Sequence, residues 1–182
     1  MDSDLELVKA LRERRPAAFE ALYRRYRDRV WRFLCRLAGP GAEDLFQETW
    51  IAAARNAHLL RDNTALLPWL FTIAHNKHRN GVRSWARQAR MQTDLAGLPA
   101  AAPASVDDCA DRQREIARTR LALARLPEAY RDALVLCVVE GLDAAQAAAV
   151  LGCTSDAVRK RLSRARAQLA RAVGRFTQGE RT

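Results

Sequence analysis

The sequence predicts an all-α protein built as two small helical domains joined by a flexible linker. Three observations predict it. Apolar residues recur at intervals of three and four in both halves of the chain, which is the period of a helix buried on one face. No stretch of useful length alternates with the period of two that a half-buried strand needs. Between the two periodic blocks, residues 89–111 show neither period and hold Gly97, Pro99, Pro103 and a run of alanines. Arg90 against Asp94, Asp107, Asp108 and Asp111 leaves that stretch at −3 in a chain whose net charge is +10. A length of 182 residues suits two small domains. The boundaries follow as 5–90 for the first domain, 91–114 for the linker and 115–176 for the second.

The first block opens with Phe19, Leu22, Tyr23, Tyr26, Val30, Phe33, Leu34 and Leu37 at helical spacing. Pro16 stands at the helix entrance, where its missing N–H costs nothing, and Gly39-Pro40-Gly41 breaks the helix. A second helix is expected from Ala42 to about His58, displaying Glu43, Asp44, Gln47 and Glu48 on one side. Leu59 to Pro68 reads as a loop containing Arg61-Asp62-Asn63-Thr64, and a third helix runs from Trp69 towards Arg90. From Thr72 to Arg90 that helix has five Arg or Lys, no acid and two histidines. Trp69, Phe71, Trp85, Asn76 and Asn80 are interleaved with the bases. An acidic helix face is repelled by phosphate and so suits a protein partner. A basic aromatic helix suits single-stranded or melting DNA, since rings stack on exposed bases while Arg and Lys hold the backbone. Trp31 and Trp50 are assigned to the core, because large aromatics are mostly buried. Trp69 and Trp85 fit the core and a nucleic-acid face equally well.

The second block carries the most specific pattern. Asp143 caps a short helix and Gln146, three residues on, completes a capping box. Gly152 follows Val150 and Leu151 at the place where a left-handed residue ends the helix. Thr154 or Ser155 then caps a longer helix, whose Val158, Leu162, Ala165, Leu169 and Val173 form one buried seam. Arg159, Lys160, Ser163, Arg164, Arg166 and Arg171 are left pointing outward or sideways. This is a helix-turn-helix with a basic recognition helix. An ordinary αα-hairpin with a solvated outer face is the competing reading. The charge argues against it: Ser155 to Arg175 holds seven Arg or Lys and one Asp, whereas solvated faces mix both signs. A one-signed helix wants a polyanion against it.

Whole-chain properties agree. A pI near 10.4 points to nucleic acid or an anionic membrane surface. No apolar run approaches the roughly 18–20 residues of a spanning helix, and no membrane insertion is expected. The N-terminus Met1-Asp2-Ser3-Asp4-Leu5-Glu6 lacks the order of a signal peptide, so a cytoplasmic location is expected. Cys35, Cys109, Cys137 and Cys153 form no CxxC pair, and Cys137 and Cys153 read as small buried hydrophobes. Cys35 with His75 and His78 supplies too few ligands for zinc, so no metal or other cofactor is expected.

With these residues in view, the chain resembles the extracytoplasmic-function (group IV) class of bacterial sigma-70 factors. Ala42-Glu43-Asp44-Leu45-Phe46-Gln47-Glu48-Thr49-Trp50-Ile51 is similar to the helix of sigma region 2. Pro68-Trp69-Leu70-Phe71-Thr72-Ile73-Ala74-His75-Asn76 resembles the class's "WLxxIAxN" segment. Leu126 to Leu134 resembles the "LPxxxRxxL" opening of region 4, and the helix-turn-helix completes it. The resemblance implies that Asp44, Leu45, Gln47, Glu48 and Ile51 dock on the clamp helices of the largest subunit of core RNA polymerase. A second polymerase contact would be the flap of the second-largest subunit. The loop Leu60, Arg61, Asp62, Asn63 and Thr64 would take a flipped-out base of the minus-10 element. Trp69, Asn76, Lys77, Arg79, Asn80 and Arg83 would read the melting junction. Thr154, Ser155, Arg159, Lys160, Ser163, Arg164 and Arg166 would meet the minus-35 element. The acidic linker would thread the RNA exit path, and an anti-sigma factor would hold the protein inactive. The chain departs from the pattern at Ala144, Ala145 and Ala147, and at Asn80 and Ser84.

The implied activity is promoter recognition and strand opening lent to a polymerase, not enzymatic chemistry. The chain has no phosphate-binding glycine loop and no paired-carboxylate or Cys/His constellation. The alternative is a stand-alone helix-turn-helix regulator, which would need a receiver or sensing domain; the first block shows no βα alternation.

Overall fold

A computed structural model of the protein describes the backbone of residues 3–91, 123 and 125–178, and side chains over 3–82, 123 and 125–171. Among the described residues every regular element is helical, and no helix is long and apolar enough to cross a membrane. The chain divides into two compact units, residues 1–101 and 102–182. The linker reading falls outside the described residues, apart from the backbone of Met91, as do Cys109 and the side chains of Arg83, Ser84, Trp85 and Val173.

The first unit begins with a helix the sequence reading did not anticipate, α1 (Asp4–Arg12). Ser3 caps it, its hydroxyl accepting from the Glu6 N–H, and Leu7, Val8 and Leu11 bury its inner face. Helix α2 (Pro16–Ala38) has Pro16 at its first position and buries Leu22, Tyr26, Val30, Phe33, Leu34 and Leu37. It stops at Gly39, whose φ of 55° and ψ of −119° suit only glycine. A 3₁₀ turn (Gly39–Gly41) leads into α3 (Ala42–Asn56), and a second one (Ala57–Leu59) follows it. Helix α4 (Leu66–Met91) starts earlier than the sequence reading placed it, so the loop shrinks to residues 60–65. Pro68 lies in the first turn of α4, where no intrahelical N–H is needed from it.

Helices α2, α3 and α4 pack against one another, and α1 lies on α2 and the Ala57–Leu59 turn. Phe33 and Phe71 meet at the centre, ring centroids 4.4 Å apart, and both are fully buried. Each such side chain contributes about 1.5–3 kcal/mol relative to exposure. Trp50 is buried as expected, 7% exposed, against Phe19 and Tyr23. Trp31 is not: it is 40% exposed and leans edge-on against Phe46. It follows Val30 by one residue, a turn of about 100° off the buried seam, which puts it at the margin of α2.

The second unit holds α5 (Glu128–Leu134), which runs into a π-helical turn (Val135–Val139), then α6 (Ala144–Leu151) and α7 (Ser155–Gln178). Leu126, Leu134 and Ala165 form a core with Leu123, Tyr130, Leu162 and Leu169 around it. The wide turn brings Val138 and Val139 to the surface and leaves Cys137 half-buried rather than buried as expected. Burial, with the Asp143 charge second, still pushes its thiol pKa up. Cys153 is likewise half-buried, its sulfur 3.4 Å from the Arg161 guanidinium. Cys35 is exposed while His75 and His78 are buried, and the described residues form no cluster that could hold a metal.

Candidate protein and nucleic-acid interfaces

Helix α3 offers one outward stripe. Asp44, Gln47, Glu48 and Ile51 fall at i, i+3, i+4 and i+7, which places them in a single row. All four are exposed, and Leu45 is half-buried beside them. Ile51, 53% exposed, ends a row of two carboxylates and an amide. An apolar side chain in an acidic, otherwise hydrogen-bonding row is the composition of a docking face: charge for orientation, apolar area for affinity.

The loop after α3 is closed by its own hydrogen bonds. The Thr64 N–H donates to the Arg61 carbonyl, and the Arg61 N–H donates to Thr64 Oγ1, both at 3.0 Å. Leu60 is buried and anchors the loop, so it has no surface to offer a base. Arg61, Asp62 and Asn63 are exposed and Thr64 is half-buried. Asp62 pairs with Arg12, which ties the loop tip to α1.

On α4 a spacing of seven puts Trp69 and Asn76 in one row, with Asn80 a further turn along. Trp69 is half-buried, leaving part of its ring at the surface, and Asn76 and Asn80 are exposed. Lys77 turns towards α3, its Nζ 3.1 Å from Glu48 Oε2. Arg79 is half-buried, with a buried Nε that finds no partner among the described residues. The backbone of Arg83 continues the row, but its side chain is outside the described residues.

The helix-turn-helix is built as its residues dictate. Asp143 Oδ1 accepts from the N–H groups of Ala145 and Gln146 at 2.8 Å, and Gln146 Oε1 accepts from the Asp143 N–H at 3.2 Å. Gly152 ends α6 in the left-handed region, φ 62°. Thr154 Oγ1 accepts from the Ala157 N–H at 3.2 Å and so caps α7. Val158 and Ala165 are fully buried, and Leu162 and Leu169 are half-buried on the same seam. Arg159, Lys160, Ser163, Arg164, Arg166 and Thr154 are exposed, and Ser155 is half-buried. At 100° per residue Lys160 and Arg164 lie opposite the seam, whereas Arg159 and Arg166 flank it. Arg159 pairs with Asp156 at 2.5 Å, which pre-sets its direction. Arg164 donates to the Tyr130 hydroxyl at 3.3 Å, fixing it from α5. Sequence reasoning does not single out Tyr130, the third x of the LPxxxRxxL run, and only the fold brings it to α7.

Comparison with known proteins places these surfaces in a family. Residues 22–88 match the model of sigma-70 region 2, and residues 114–169 match that of sigma-70, region 4. The chain is similar to the RNA polymerase sigma factor CarQ of Myxococcus xanthus, 34% identical over 160 residues covering 86% of this chain and 90% of that one. It is also similar to the ECF RNA polymerase sigma factor SigM of Mycobacterium tuberculosis, 32% identical over 97% of this chain and 88% of that one. Among solved structures, the sigma factor RpoE of Bartonella quintana, in complex with the anti-sigma factor NepR, has a TM-score of 0.73 at 25% identity. The match covers 86% of this chain and 96% of that one.

Proposed function

The chain belongs to the sigma-70 family, in its extracytoplasmic-function class, and from that premise we propose how its surfaces share the work of promoter recognition. The protein is an alternative sigma factor: it binds core RNA polymerase and directs it to promoters. The Asp44–Gln47–Glu48–Ile51 row, with Leu45, meets the clamp helices of the largest polymerase subunit. Arg61, Asp62, Asn63 and Thr64, with Trp69, Asn76, Lys77, Arg79, Asn80 and Arg83, hold the minus-10 element as it melts. Leu60 supports that loop from inside. Thr154, Ser155, Arg159, Lys160, Ser163, Arg164 and Arg166 meet the minus-35 element in the major groove. Residues 91–114 link regions 2 and 4, and region 4 also rests on the flap of the second-largest subunit. The protein performs no catalysis itself and acts in the cytoplasm. By analogy with the NepR-bound relative, an anti-sigma factor holds it inactive.

The observation that carries this reading is the segregation of charge onto separate helices. One acidic row with an exposed isoleucine suits a protein, and one basic recognition helix suits DNA. The test is co-purification of the full chain with core polymerase. The wild type is expected to form a stoichiometric holoenzyme, while Asp44→Lys with Ile51→Ala loses it at unchanged helicity. A chain that ignores core polymerase and binds duplex DNA by itself would contradict the proposal.

A further inference from the structure

A cleft of about 320 Å³ opens where the turn between α1 and α2 meets the C-terminal end of α3. The charged side chains lining it are all cationic, Arg14, Arg15 and Arg55; the His58 imidazole lies beside them, and no carboxylate is in the lining. Arg15 pairs with Glu13 at 2.5 Å, outside that lining. The guanidinium groups of Arg14 and Arg55 make no hydrogen bond or ion pair among the described residues. The floor is apolar, with Leu11, Pro16 and Phe19 supplying it. Like charges gathered around a concave surface repel one another, and the arrangement is relieved by an anion seated among them.

Two local features show that the chain keeps cations here against its own backbone preferences. Arg14 sits at φ 55°, and it is the one non-glycine with positive φ among the described residues. Its N–H donates to the Leu11 carbonyl at 3.0 Å, so it holds the place past the end of α1 that glycine takes most readily. Arg15 stands at the N-cap of α2 with no side-chain cap, and the first turn of α2 has no acid. Ser, Thr, Asp or Asn is preferred there, and a cation at the positive end of a helix is unfavourable. Departures from local preference that converge on one cleft are the mark of a site kept for binding.

We propose that this cleft binds a phosphorylated small molecule carrying an aromatic or apolar part, in the class of nucleoside diphosphates. The guanidinium forks of Arg14 and Arg55 match phosphate oxygens, and Phe19 and Pro16 offer the apolar part a surface. The size falls in the range of small-ligand sites. A DNA backbone would need an open track rather than a concave site with an apolar floor. None of the lining residues belongs to the polymerase or promoter surfaces, so the inference goes beyond the reading given above and is tested without polymerase or promoter.

The test is calorimetric titration of the full chain with ADP, pyrophosphate and adenosine, repeated for Arg14→Gly and Arg55→Gln. ADP is expected to bind more tightly than either of its parts. Each substitution weakens ADP by about tenfold or more. Arg14→Gly raises the melting temperature while it lowers binding, which separates loss of the site from loss of the fold. ADP binding that is unchanged in both variants, or no binding of any of the three probes, overturns the proposal. A ten-nucleotide single-stranded DNA serves as the control for the other source of phosphate. If that DNA binds and weakens in both variants while ADP does not bind, the cleft is a backbone contact and the proposal falls.

Discussion

Lys77 Nζ stands 3.1 Å from Glu48 Oε2, so one ion pair joins the acidic row of α3 to the basic helix α4. Glu48 belongs to the proposed polymerase face and Lys77 to the proposed DNA face. On that proposal, polymerase or phosphate would compete with the pair for either group. Both side chains are well exposed, so the pair contributes under about 1 kcal/mol to stability and is screened by salt.

A double-mutant cycle with Glu48→Gln and Lys77→Gln should therefore return a coupling below about 1 kcal/mol that shrinks as salt is added. Denaturant melts of the four proteins at two ionic strengths measure it. A salt-independent coupling well above that value would mean that the pair is a structural clasp rather than two docking groups at rest.

Tyr26 carries a prediction in alkali. It is buried, and its hydroxyl donates to the Asp4 carboxylate at 2.7–2.8 Å. Burial first, and the hydrogen bond to Asp4 second, push its pKa up to about 12 from 10.0. The unfolded chain therefore gives up this proton before the folded one does. The resulting contribution is complete below pH 10 and is lost as pH rises towards 12. The stability difference between wild type and Tyr26→Phe should narrow or reverse over that window and stay flat below it. Equal slopes for the two proteins in denaturation at stepped pH would show that the phenol does not titrate with folding.

On the proposed reading, the recognition helix α7 is expected to separate base reading from phosphate holding. Arg159 and Arg164 are each directed by a partner, Asp156 and Tyr130. Arg159→Ala and Arg164→Ala are expected to cost about 1–3 kcal/mol and to relax preference at one minus-35 position each. Arg171→Ala, further along α7, should weaken all sequences alike and lower the salt slope by about one unit. Transcription from promoters with single minus-35 substitutions at several salt concentrations distinguishes the two. A uniform loss for Arg159→Ala and Arg164→Ala would place the specificity in DNA shape instead.

What was legible in the sequence was mostly local. Asp143, Gln146, Gly152 and Thr154 do in the structure what their spacing announces, because caps and left-handed turns depend on neighbours a few residues away. Helix α1 carried the same kind of signal, Ser3 with Glu6 ahead of Leu7, Val8 and Leu11, but nine residues are too few for a periodicity to stand out. The run from Leu134 to Val139 is apolar at every position and so has no phase from which a π-helical turn could be read. Residue type alone assigns Trp31 to the core, whereas its place about 100° from the Val30 seam puts it at the margin of α2, where its ring leans on Phe46. The pairings of Glu48 with Lys77 and of Arg164 with Tyr130 join residues far apart in the chain, and no spacing rule reaches them. The Arg14–Arg55 cleft was missed for the same reason.

Promoter selectivity conferred on core RNA polymerase by this chain is tested most directly by transcription from a randomised promoter library. Core enzyme with the full chain is expected to start transcripts from a narrow set of templates sharing one minus-35 and one minus-10 sequence. Core enzyme alone should select none. A library in which the chain leaves the template distribution of core enzyme unchanged would contradict the account.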